Sequence, residues 1–299
     1  MNSIKPIMRI IGKLLLLVVI VTLLMIVVMI PVMIVGIALH DGLSIEELLV
    51  EPSMVKAMMV VQGICVIGAV MIMYVSFERK SGLSLGWKER NGWRAAIAGS
   101  NWGIAFMSAA FLSIWAFGGL IVEDVRLDAS VVQGLVFGLL LFALVAINEE
   151  LLCRGYIQGL LRLKTGPTLA IMITSLLFTA LHLMNDSVLD SPFPLINLFL
   201  AGVLLGVSRE VTGGLWVPIG IHFTWNYFQG NIYGFEVSGN VIGDSIVQIE
   251  SQGHQLLSGG EFGAEGSLLT TMILLLSIYV IWWWYRTKRE ALSDSINTL

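Results

Sequence analysis

Long apolar runs constrain this chain more than any motif does. Stretches of membrane-spanning length lie at about residues 10–39, 55–77, 94–120, 131–163, 167–184, 194–208, 215–233 and 267–285. They predict an all-α fold, a polytopic membrane helix bundle of about eight transmembrane helices. Composition agrees, because 57% hydrophobic and only 13% charged residues leave too little polar side-chain surface to coat a soluble globule. The bilayer is therefore the first partner implied. A net charge of −4 and no basic patch interleaved with aromatics give no reason to expect nucleic acid. The first run is too long for a signal peptide and lacks a small-residue cleavage site, so it is expected to remain as an anchor. Cys65 and Cys153 both sit in apolar runs, which argues against a disulfide framework.

Charges between the runs predict orientation. Lys5, Arg9 and Lys13 precede run 1; Arg79, Lys80, Lys88, Arg90 and Arg94 separate runs 2 and 3; Arg162, Lys164 and Arg209 follow runs 4 and 6; Arg286, Lys288 and Arg289 follow run 8. The alternate loops are acidic, from Asp41 and Glu46 to Glu261 and Glu265, with Arg126 and Lys56 as their basic exceptions. Positive-inside bias then gives a multi-pass cell-membrane protein with both termini cytoplasmic and a polar cavity inside the bundle. No repeat, low-complexity tract or linker divides it. The basic loop FERKSGLSLGWKERNGWR, with Trp87 and Trp93, reads as an interfacial element, and the Gly-rich acidic segment 234–266 as an ordered outer loop over helix ends.

Run 4 is broken by charge: Glu149, Glu150 and Arg154 interrupt VVQGLVFGLLLFALVAINEELLCRGYIQGLL. Each costs roughly 2.5–3.5 kcal/mol near a bilayer centre on insertion scales, so the three together cost about 8–10 kcal/mol. Two further runs carry polar groups, His182 after Phe178, and His222 with Asn226. Glu150 and Arg154 share a helix face at a spacing of four, as do His222 and Asn226, whereas Glu149 points about 100° away from Glu150 and should have a different partner. Counting from Thr165 in the turn at Lys164–Pro167, Glu149 is 16 residues back and His182 is 17 forward. At about 1.5 Å per residue the two stand level, roughly 24–26 Å from the turn. A carboxylate, two imidazoles and an amide converging on one wet cavity form a hydrolytic set, with a base for water and donors for an oxyanion. Plainer readings exist for the parts: a structural Glu150–Arg154 pair, helix-bridging histidines, and Cys153 as a small packing residue. His40 and His254, in a loop or at a helix end, read as ordinary.

EELLCRG (Glu149, Glu150, Arg154), FTALH (Phe178, His182) and HFTWN (His222, Asn226) together resemble the three motifs of the CPBP family, the CAAX protease and bacteriocin-processing (Abi) membrane endopeptidases. The resemblance covers about residues 130–233, and an extension through GFEVSG and EFGAEGS to run 8 is a further expectation. It implies an N-terminal part, 1–125, joined to a catalytic membrane part, 126–290, in one integrated domain. It also implies an intramembrane endopeptidase cutting a membrane-associated protein or peptide. Glu149 would activate water with His182 assisting, His222 and Asn226 would hold the oxyanion, and Glu150, Arg154 and Phe178 would support the site. A metal-free, glutamate-dependent mechanism without cofactor is the favoured reading. Zinc on Glu149, His182 and His222 is the alternative, although there is no HExxH helix. The rival from another class is a transporter, or a non-catalytic binding or immunity protein using the same cavity.

Overall fold

A computed structural model describes residues 4–40, 42–89 and 91–297. Asp41 and Arg90, and the side chains of Lys5, Lys288 and Arg289, which entered the orientation argument, lie outside the described residues. Each apolar run becomes helix. In chain order these are α1 (Ile4–Leu39), the short α2 (Ile45–Val50), α3 (Pro52–Met73), α4 (Gly92–Ala116), α5 (Ala129–Glu150), α6 (Gln158–Thr165), α7 (Pro167–Leu181), α8 (Phe193–Thr212), α9 (Trp216–Tyr227), α10 (Gln255–Ser258) and α11 (Leu268–Asn297).

The polytopic helical bundle stands, with a different length distribution from the one expected. Among the described residues six helical stretches are long and apolar enough to cross a membrane. The runs at 167–184 and 215–233 instead give a 15-residue α7 and a 12-residue α9, the latter extended by the π-helical turn Phe228–Ile232. In α9 the apolar character serves burial more than length: nine of its residues, from Val217 to Asn226, are buried.

Local chemistry sets the ends. The Asp128 carboxylate accepts from the amides of Ser130 and Val131 and so starts α5. Gly166, at φ 82°, turns the chain into Pro167 at the first position of α7. Gly213, at φ 78°, closes α8 in the left-handed region.

α9 is the central element, and glycines let it approach α4. A Cβ on Gly99 would collide with the Val217 carbonyl oxygen, one on Gly103 with Ile221 O and Thr224 Oγ1, and one on Gly220 with Ala96 O. The two helices therefore meet backbone to backbone, the contact that small residues permit inside a membrane. Thr224 Oγ1 donates to Ser100 O at 2.9 Å and pins the register. α5 lies along the other side of α9, α7 and α11 flank α8, and α1 leans on α3 at the edge of the bundle.

Two features depart from the all-α expectation. Leu120–Val125 (β1) and Val247–Ser251 (β2) pair antiparallel, with a register irregularity between Val122 and Asp124. The ribbon joins the end of α4 to the 234–266 segment, and beyond Leu120 its β1 side chains are exposed, so β1 carries no apolar periodicity of its own. The basic loop before α4 is also more than an interfacial patch. Its Leu83 and Leu85 are buried, Trp216 Nε1 donates to Trp87 O at 3.1 Å, and Leu215 N donates to Gly86 O at 3.1 Å, while Trp93 stays exposed. The loop thereby holds the start of α9.

Gly103→Val should lower the thermal midpoint of the detergent-solubilised protein, because overpacking of this kind costs about 1–3 kcal/mol. An unchanged midpoint would refute the close α4–α9 contact.

Candidate active site

The chain changes helical form where its charges sit. α5 ends at Glu150 and passes into a π-helical turn, Leu151–Ile157, that contains Arg154, and a second π turn follows α9 just after Asn226. Such turns are rare and recur at functional positions.

Glu150 and Arg154 are both fully buried. Arg154 Nη1 donates to Glu150 Oε1 at 3.0 Å, as the four-residue spacing predicts, and Nη2 donates to Gly202 O on α8 at 3.1 Å. The guanidinium carbon lies 4.6 Å from the centre of the Phe178 ring on α7. His222 on α9 completes the cluster, with Nδ1 2.9 Å from the same Glu150 oxygen. Its other nitrogen, Nε2, lies 3.8 Å from Glu149 Oε2. The two glutamates were expected to have different partners; they share this one. An imidazole offers nitrogens on opposite edges, so a single ring can span carboxylates that diverge along the helix.

His182 is not inside a helix, as the expected span 167–184 would have it, but is the residue that ends α7. The Asn185, Asp186 and Ser187 that follow favour turns and carry the chain away. Its Nδ1 lies 2.8 Å from Phe178 O. A carbonyl only accepts, so Nδ1 carries the proton and Nε2 of a neutral ring is left as an acceptor. Phe178 also packs at 4.7 Å from the His182 ring and 6.2 Å from that of His222, edge-on to the latter.

Glu149, His182, His222 and Asn226 all line one cavity of about 710 Å³. The Glu149 side chain is partly exposed there, while its Oε2 is itself buried and among the described residues accepts no hydrogen bond. Seven further polar lining residues escaped the reading of the sequence: Asn148, Asn185, Ser238 and Glu265, with Thr22, Gln62 and Asn240. Asn185, three residues past His182, offered a weak signal; Ser238 and Glu265 reach the cavity through a loop whose path no periodicity reveals. On that loop, burial raises the pKa of the Glu236 carboxyl above its ordinary value. Most of the remaining wall is apolar and includes Leu14, Leu17 and Val21 of α1. Cys153 is buried beside Phe178, Val188 and Leu198, a packing environment. His254 caps α10 and His40 approaches Glu51, both away from the cavity.

Zinc would require its ligands to converge. Among the described residues no group of three or more His, Cys, Asp or Glu side chains is arranged to hold a metal, so the set Glu149, His182 and His222 is not assembled as one.

Comparison with known proteins falls on the same region. Residues 130–228 match the family model described as type II CAAX prenyl endopeptidase Rce1-like. That match spans all three motifs and supports the CPBP, or CAAX protease, family. An uncharacterized 24.3 kDa protein of Escherichia coli is 29% identical over 133 residues, which is 42% of this chain and 59% of that protein.

Glu150→Gln should destabilise the protein by about 3–5 kcal/mol, read as a fall in thermal midpoint in detergent, because it leaves a buried guanidinium without its counter-charge. Wild-type stability with complete loss of turnover would instead move Glu150 into the catalytic set.

Proposed function

We propose that this protein is an intramembrane endopeptidase that hydrolyses a peptide bond of a membrane-associated protein or peptide. The observation that carries the reading is the convergence of Glu149, His182, His222 and Asn226 on one cavity, with the Glu149 side chain partly exposed and His182 tied by Nδ1 to a carbonyl. The family match supports the same class.

In the proposed mechanism Glu149 takes a proton from water, and His182, through Nε2, assists that transfer. The oxygen attacks the peptide carbonyl carbon, and the electron pair moves onto the carbonyl oxygen. Asn226 and a protonated His222 Nε2 donate to that oxyanion, and His222 is aimed for this because Nδ1 is already engaged by Glu150. Collapse breaks the C–N bond, and the leaving nitrogen receives the proton that Glu149 had taken. Glu150 and Arg154 do not touch substrate and act as positioning residues, with Phe178 between Arg154 and both histidines. The apolar part of the cavity, which borders α1 and α3, suits the hydrophobic portion of such a substrate. The basic and acidic loop bias supports cytoplasmic termini. The 126–290 region supplies the proposed catalytic groups, and 1–125 packs onto it as part of the same bundle.

Asn226→Ala should lower kcat by about 10²–10³ with little change in KM, since a donor to the oxyanion acts only as charge develops. Glu149→Gln should abolish turnover in a protein that still folds. Stoichiometric zinc in the purified active enzyme, lost with Glu149→Gln and needed to restore chelator-treated protein, would overturn the metal-free assignment.

A further inference from the structure

We propose that Glu265 is a positioning residue for this cavity: it anchors the loop around Ser238 as the cavity's outer wall and, through Ser238 and Asn185, holds the turn that carries His182. The inference rests on the hydrolytic reading for its consequence, while its geometry stands apart from it.

Glu265 is buried, though it belongs to a loop, and a buried carboxylate must be met by donors. Its Oε2 collects three: Ser238 N at 2.9 Å, Ser238 Oγ at 2.7 Å and Gln229 Nε2 at 3.4 Å. Ser238 needs such an anchor, because it holds a φ of 49°, the left-handed region that a side chain disfavours. Its carbonyl then accepts from Asn185 Nδ2 at 2.9 Å. Asn185 N in turn donates to His182 O at 3.0 Å, closing the turn at the end of α7. The other end of the chain of contacts is fixed to the bundle, where Asn197 Nδ2 of α8 donates to Glu265 O at 2.7 Å and Ser267 O at 2.8 Å. Glu265, Ser238, Asn185 and His182 all line the cavity, so the contacts run along its wall.

A carboxylate rather than a carboxamide is required here. Oε2 faces three N–H or O–H donors at once, and a Gln in its place either keeps a weaker neutral acceptor or turns an NH₂ toward them. A purely local structural role for Glu265 would loosen 234–242 alone. The proposed role also loosens 182–188.

The test uses the full chain in detergent, comparing wild type, Glu265→Gln, Asn185→Ala and the double variant. Hydrogen exchange in 234–242 and 182–188 should both accelerate about 10- to 100-fold in Glu265→Gln, as loss of hydrogen bonds to a charged group implies. Carbethoxylation of His182 by diethylpyrocarbonate, followed by mass spectrometry, should rise severalfold, with buried His222 as the internal reference. The double variant should be no worse at His182 than the worse single variant, because both break one chain of contacts. Acceleration confined to 234–242, an unchanged His182 rate, or additive effects would each overturn the proposal. Should Glu265→Gln not fold, Ser238→Ala, which removes one donor only, carries the same comparison with a smaller expected effect. In membranes, new protein termini that depend on Glu149 should fall in Glu265→Gln. An absence of Glu149-dependent termini would refute the hydrolytic reading and leave the exchange and modification results to decide the role of Glu265.

Discussion

A guanidinium buried in an apolar bundle must be answered by its surroundings, and Arg154 is met by three helices directly and by a fourth through Glu150, although its Nε has no partner among the described residues. The carboxylate comes from α5, a carbonyl from α8 and an aromatic face from α7, while His222 of α9 closes on the same Glu150 oxygen. None of these partners can withdraw without leaving charge or a polar group unpaired in a medium that hydrates neither. Buried ion pairs are weak sources of stability, so the effect of this one is best understood as register: it fixes how α7, α8 and α9 stand around the α5–α6 turn. Glu149, His182, His222 and Asn226 acquire their common cavity from that register.

The approach of α9 is set from the opposite side by an absence of side chain. Gly99, Gly103 and Gly220 remove the Cβ atoms that would hold α4 and α9 apart, and the Ser84–Trp87 loop fastens the first turn of α9. α9 is thus clamped between a polar cluster and a glycine contact. This explains how an element of only 12 residues can be placed reproducibly with two proposed catalytic side chains on one face.

Much of this was legible in the chain itself. Apolar runs located the long helices, the turn at Lys164–Pro167 fell where expected, and the four-residue spacing gave the Glu150–Arg154 pair. What escaped has physical causes. The π turns at 151–157 and 228–232 follow from tertiary demands on backbone groups, which no residue pattern encodes. The β1–β2 ribbon pairs residues more than a hundred positions apart; β1 is exposed beyond Leu120 and lacks the alternation that marks a half-buried sheet, while the alternating β2 is only five residues long. His182 was assigned to a helix because LHLM is apolar, yet the Asn–Asp–Ser that follows ends α7 at Leu181. Assigning separate partners to the two glutamates treated the problem as one helix viewed down its axis, and missed that a ring on a neighbouring helix can touch both.

That shared ring also separates the two carboxylates in character. Glu150 Oε1 is engaged by Arg154 and His222, fully enclosed and fixed in orientation, so it is poorly suited to exchange a proton with water. Glu149, the preceding residue and of the same type, approaches the other edge of the same imidazole, yet its side chain is partly exposed on the cavity, although its Oε2, like Glu150 Oε2, is itself enclosed and accepts no hydrogen bond among the described residues. Adjacent identical groups are thereby given different environments, the general route by which carboxylates can come to divide structural and acid–base roles.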